Sequence, residues 1–246
     1  MFTQELLKKN GIRRCKVYNK FPSKRNQVYL LDLEDFDGNR YQKVFKLHSN
    51  KTKLIRETEM LFLLKNSDIS VPVIDKVIGN GILMQYVRGP RILDFLEWQE
   101  VEHFQYKEPF VKYSLSGIHM LIEWMAKFYE ITEHLTGKSL ILGNASFKNF
   151  IIRYDIFGVS FAEYREGHRE EDAGLLCAYA LTYDPAYTPW KKKLVQEMVK
   201  IMLEKLDLDR PRFASYLNQE IERINKRRGL RMQAAWLQDV TSTITF

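Results

Sequence analysis

Residues 142–152 read LGNASFKNFII. The segment opens on Gly143, a residue that bends where others resist, and sets two asparagines five positions apart at Asn144 and Asn149. It closes on an apolar run suited to a strand. That run, NFIIRY (149–154), and the following IFGVSFA (156–162) are separated by Asp155, which predicts a small hairpin. Helical patterns flank it. Upstream, SLSGIHMLIEWMAKFYEITEHL (114–135) repeats apolar residues at Ile118, Leu121, Ile122, Met125 and Phe128, the three- and four-residue spacing of a buried helix. His119 lies near that face and is expected to pack against it. Downstream, helices are expected over 170–181, 190–206 and 210–226.

Nearer the N-terminus the pattern changes. QVYLLDLEDFDGNRYQKVFKL (27–47) holds two apolar-rich segments around Asp37-Gly38-Asn39, a hairpin signal. A helix follows over 51–66, with Leu54, Ile55, Leu61, Phe62 and Leu64 on its apolar faces and Arg56, Glu57, Glu59 and Lys65 on its polar ones. VPVIDKVI (71–78) and GILMQYV (81–87) read as two more strands joined through Gly79-Asn80-Gly81. Arg88-Gly89-Pro90 breaks the chain, and ILDFLEW (92–98) predicts a short helix after it. The boundary divides a strand-rich domain with one helix, 1–87, from a mostly helical one, 88–246.

Composition narrows the function classes. The chain has 246 residues, 45% of them apolar and 13% aromatic, as a folded globular protein requires. No window approaches the roughly 18 continuous apolar residues of a membrane span. The start, MFTQELLKKNGIRRC, has no apolar signal core, and Cys15 and Cys177 cannot build a disulfide framework, so a cytoplasmic protein is expected. The net charge is +7, yet the basic residues are dispersed, with only short clusters at 190–193 and 225–231. Clusters of that length are solvated helix faces, and nucleic acid is not the expected partner. The five histidines, His48, His103, His119, His134 and His168, show no metal-ligand spacing.

This order of strands, one helix, a break and a helical half with a central hairpin resembles the kinase-like fold, and within it the aminoglycoside phosphotransferase-like, small-molecule branch. The resemblance implies an α+β, two-lobed architecture: an antiparallel-sheet N-lobe with one helix, and a mostly helical C-lobe. It implies a nucleotide ligand, ATP or another. In such folds a third-strand lysine reaches the phosphates and a helix glutamate holds it. Lys46 is favoured here over Lys43, because two residues earlier it has Val44 where Lys43 has the bulky Tyr41; Glu57 is the matching acid. Met84, Gln85 and Tyr86 correspond to the strand that offers backbone groups to a purine. NKFPSKRNQV (19–28) stands where the phosphate-covering loop belongs. It lacks glycine, and Lys24 and Arg25 could lend it charge.

The opening segment stands where family members carry an acid, four residues and an asparagine. The acid deprotonates the attacking hydroxyl and the asparagine holds magnesium. Asn149 matches, but Asn144 replaces the acid and Leu142 the usual histidine. An amide can orient a hydroxyl but cannot take its proton. The second metal-binding acid falls at Ser160 when GVSFA (158–162) is aligned on Gly158, Val159 and Phe161, with Ala162 at the acid after it. A shift of three residues puts Glu163 there as the alternative ligand. Asp172 is expected to cap the next helix and brace the loop. The resemblance therefore implies a kinase-like nucleotide-binding protein that is impaired or inactive, a pseudokinase with a binding or regulatory role and a weakened need for magnesium. Its partner is then a protein not identified by the sequence. The alternative is an active ATP-dependent phosphotransferase acting on a small hydroxylated metabolite.

Overall fold

The computed structural model describes residues 4–23, 26–106, 112–230, 239, 242 and 244. By internal contacts they form two units. The first comprises Met1–Asn66, Val71–Arg88 and Ser160–Ala162, and the second Ser67–Ser70, Gly89–Val159 and Glu163–Phe246.

In the first unit, strands β1 (Ile12–Phe21), β2 (Asn26–Asp35), β3 (Arg40–His48), β4 (Ile74–Ile78) and β5 (Gly81–Gln85) form one antiparallel sheet in the order β1-β2-β3-β5-β4. Tyr29, Leu31 and Leu33 of β2 and Phe45 of β3 point to one face, where they pack with Leu7 of the short helix α1 (Gln4–Lys9), Ile12, Ile78 and Leu83. Residues of opposite parity face the other way. Val44 and Met84 there meet Leu54 of helix α2 (Lys51–Leu64). The β2–β3 turn is closed by Asp35, whose carboxylate accepts from the Asp37 and Asn39 N–H groups at 2.9 and 2.8 Å. Asn50 caps α2, accepting from the Thr52 N–H at 2.8 Å.

One detail of α2 differs from the sequence expectation. Ile55 and Phe62 are exposed, whereas Glu57 is wholly buried. Positions 54, 57, 61 and 64 share one helical face, and that stripe, not the sum of apolar residues, turns inward. Strand β1 carries no alternation because most of its residues are exposed along the sheet edge.

The second unit surrounds two central helices, α4 (Lys112–Thr136) and α5 (Arg169–Thr182). Ile118, Leu121, Ile122, Met125 and Phe128 of α4 are all fully buried. His119, one residue off that stripe, is exposed, which corrects the expectation that it packs. Helix α3 (Ile92–Tyr106) is twice the expected length. Helix α6 (Pro189–Lys205) packs on α4 and α5, and α7 (Arg210–Arg228) on α5. At the α5–α7 crossing Gly174 leaves no room for a side chain, since a Cβ there would lie 2.8 Å from the Leu217 nitrogen. The smaller elements are β6 (Leu140–Ile141), β7 (Phe150–Ile152), β8 (Ile156–Gly158) and β9 (Arg165–Glu166). β7 pairs with β8 in the expected hairpin, and β6 pairs with β9.

A polar cluster is buried between α3 and α6. Lys191, wholly inaccessible, donates to Glu100 Oε2 and to the Pro185 carbonyl oxygen, each at 2.6 Å. Its ammonium also lies 3.8 Å from the centre of the Tyr183 ring, and Thr188 hydrogen-bonds Glu100. Among the described residues no helix is long and apolar enough to cross a membrane.

Candidate functional site

Strand parity decides which lysine of β3 meets α2. Lys46 shares the α2-facing side with Val44, and its Nζ lies 2.6 Å from Glu57 Oε1. Both groups are buried, so the ion pair sits in a medium where the attraction is far stronger than at the surface. Lys43 has the opposite parity and pairs with Asp75 at 2.6 Å. Sequence reasoning passed over the third member of this cluster. His48, two residues beyond Lys46 on the same face, places Nε2 3.1 Å from Glu57 Oε2. Its signal was the period of two. Burial, with Lys46 and Lys53 nearby, pushes the His48 imidazole below its ordinary pKa despite Glu57, so it is neutral at pH 7.

Ser160 belongs to the same unit. Its hydroxyl lies 3.4 Å from Lys46 Nζ. The position expected to hold a metal-binding acid thus presents a neutral oxygen to an ammonium group.

The strand expected to face a purine is more constrained than its sequence suggests. Met84 is buried inside the β3–β5–β4 ladder, and the Gln85 N–H donates to the Val73 carbonyl at 2.8 Å. Tyr86 stands one residue past the ladder and is half-buried. Lys24 and Arg25 of the loop before β2, and Arg231 of the basic C-terminal cluster, lie outside the described residues.

In the second unit the loop 142–149 is shaped by one carboxylate. Asp172 accepts from the Leu142 N–H at 2.6 Å, the Gly143 N–H at 3.0 Å and the Tyr129 hydroxyl at 3.1 Å. Burial pushes its pKa up to about 6, against the pull of those donors. Asp172 braces the loop but does not cap α5. The His168 N–H at that helix start is instead taken by the Glu171 carboxylate at 3.0 Å. Gly143 adopts φ +66°, and a Cβ on it would lie 2.3 Å from the Glu163 carbonyl oxygen. Glycine is required there twice over.

Beyond the bend, Asn149 Nδ2 donates to the Asn144 carbonyl at 2.9 Å, closing the turn, and Asn149 Oδ1 has no hydrogen-bond donor among the described residues. The Asn149 carbonyl in turn accepts from the Val159 N–H at 2.9 Å. The Asn144 side chain makes no hydrogen bond among the described residues, so its amide is available to a ligand. Glu163 is half-buried.

Magnesium is usually bound through one or two carboxylates; Asn144 and Asn149 in the second unit are neutral, and Ser160 in the first is neutral and beside an ammonium group. Among the described residues no three His, Cys, Asp or Glu side chains are grouped to hold a metal.

The architecture is that of the two-lobed, kinase-like α+β fold, with an antiparallel-sheet unit followed by a mostly helical one. An amicoumacin kinase solved with AMP-PNP, Ca2+ and Ami matches 98% of this chain and 92% of its own, at 13% identity and a TM-score of 0.50. An aminoglycoside phosphotransferase solved with ADP matches 98% and 95%, at 13% identity and a TM-score of 0.49. No family model and no curated protein matches the sequence.

Proposed function

We propose that this chain is a kinase-like nucleotide-binding protein that has lost most or all phosphoryl transfer and serves a binding or regulatory role. The observation that carries the reading is Ser160 against Lys46, 3.4 Å apart, where phosphotransfer calls for a carboxylate. Asn144 supports it from the second unit, since an amide there orients but accepts no proton. The nucleotide half of the proposal rests on the Lys46–Glu57 pair, which is the phosphate-anchoring device of this fold, and the amicoumacin kinase of the same fold holds AMP-PNP. Tyr86 is the residue we assign to the purine edge, with Met84 and Gln85 shaping the strand beneath it. Magnesium contributes little to binding in this reading.

The intact pair also favours a second reading, an active phosphotransferase on a small hydroxylated metabolite. There Glu163 holds the metal with Asn149, and Asn144 orients the acceptor.

Thermal stability with ATP, with and without Mg²⁺, tests both. A shift of several degrees that is indifferent to Mg²⁺, lost in Lys46→Met and unaccompanied by ATP hydrolysis is the expected result. A shift that needs Mg²⁺ and comes with turnover, both abolished by Glu163→Gln, establishes the second reading. No shift in any condition removes the nucleotide from the proposal.

A further inference from the structure

A fully buried carboxylate must satisfy both oxygens, and one ammonium satisfies one of them. Glu57 is 0% exposed; Oε1 has Lys46, and Oε2 has only the close approach of His48 Nε2 at 3.1 Å. That approach is off the line of a hydrogen bond. Neither ring nitrogen of His48 nor Glu57 Oε2 has another hydrogen-bond partner among the described residues. Burial confines the ring, since His48 is 2% exposed, and the main-chain N–H of His48 anchors the strand there by donating to the Asn80 carbonyl at 2.9 Å. One carboxylate is therefore shared between two bases that β3 delivers to the same side.

We propose that His48 is a positioning residue that holds the second oxygen of Glu57, and that through Glu57 it makes polyphosphate binding at Lys46 proton-linked. The inference rests on the reading of Lys46 as the phosphate-binding lysine. The charged groups facing the imidazole are Glu57 and Lys53 from α2 and Lys46 from its own strand. When an anion engages Lys46, its charge offsets the ammonium that disfavours imidazolium, and Glu57 becomes free to bond Nε2–H. The ligand-bound state then holds the proton more tightly than the free state. By linkage, affinity strengthens as pH falls from 7.5 towards 6.

The first measurement is magnesium-free ADP affinity against pH by calorimetry. Titration of ADP itself is common to all variants and cancels in comparison. His48→Phe is expected to weaken binding roughly tenfold, the effect of losing one hydrogen bond to a buried charged group. His48→Gln, which retains an amide N–H near the Nε2 position, is expected to recover most of that affinity without the pH dependence. A purely packing role would give affinity and pH slope equal to wild type in both variants, and that result overturns the proposal.

The second measurement needs no nucleotide. Histidine NMR titration, with His48 assigned through His48→Gln, is expected to show its imidazole titrating at higher pH in Lys46→Met than in wild type, because Glu57 then has no other cation. An unmoved or lowered titration overturns the proposal. If ADP fails to bind the wild-type chain while the NMR shift occurs, the reading of Lys46 as a phosphate ligand fails and the His48–Glu57 coupling stands.

Discussion

Gly143 and Asp172 decide the shape of the central loop one atom at a time. With φ at +66° and the Glu163 carbonyl against the missing Cβ, Gly143→Ala combines backbone strain with a clash against main chain. A loss of about 2 kcal/mol or more in urea unfolding is expected; a loss below ~0.5 kcal/mol would mean that the loop has another available path. Asp172 makes a pH-dependent contribution. Its folded pKa, about 6, stands above the ordinary 3.8, so the folded state binds the proton more strongly. This stabilisation is complete below pH 4 and is lost as pH rises through 6. Against Asp172→Asn, the wild-type chain should therefore gain about 2 kcal/mol of relative stability between pH 7.5 and 4.5. A stability gap that stays constant with pH contradicts the raised pKa. His48 acts in the opposite direction. Because its pKa is depressed, the stability tied to its neutral ring is lost as pH falls below 6.5.

Elements are joined here by groups far apart in sequence, which is why part of the fold escaped sequence reasoning. Lys191 and Glu100 are 91 positions apart, and nothing in either local pattern announces a buried pair. Lys191→Met should cost about 3 kcal/mol or more, because it strands Glu100 in an apolar setting; adding Glu100→Leu should return most of that loss. Equal costs for the single and double variants would show that the pair is not coupled. The length of α3 was missed for a related reason. Beyond Trp98 its apolar residues, Val101 and Phe104, are exposed, so they extend no inward stripe. Strands β6 and β9, with two residues each, are too short to carry a period. By contrast, the α2 cap at Asn50 is a local signal, and Asn50→Ala should cost about 1 kcal/mol in thermal unfolding.

Across the whole chain, the order of elements was legible because β2, β3, α2, β5, α4 and the β7–β8 hairpin each carry a strong period or turn signal. Strand β1 was not, since an edge strand exposed on both faces alternates nothing. The substitutions at Asn144 and Ser160 were legible as residue types; the setting of Ser160 beside Lys46 required coordinates. The charge of +7 lies in residues 1–87, which carry 16 Lys and Arg against 9 Asp and Glu, whereas residues 88–246 balance at 22 of each, and Arg212, Arg223 and Arg228 there all face acids. Retention on a polyanion column is therefore expected to vanish near 0.15 M salt, on the order of physiological ionic strength, and to be insensitive to Arg227→Gln. Binding that persists at higher salt would point to a dedicated surface.

The fastening of the central loop by Asp172 has an engineering consequence. It grips Leu142 and Gly143 through main-chain N–H groups alone, so the side chains that follow can be exchanged without unseating the turn. Reactive groups become interchangeable fittings on a fixed mount. On the proposed reading, installing acids at just two sites, Asn144→Asp and Ser160→Asp, is the shortest route to raising phosphoryl transfer.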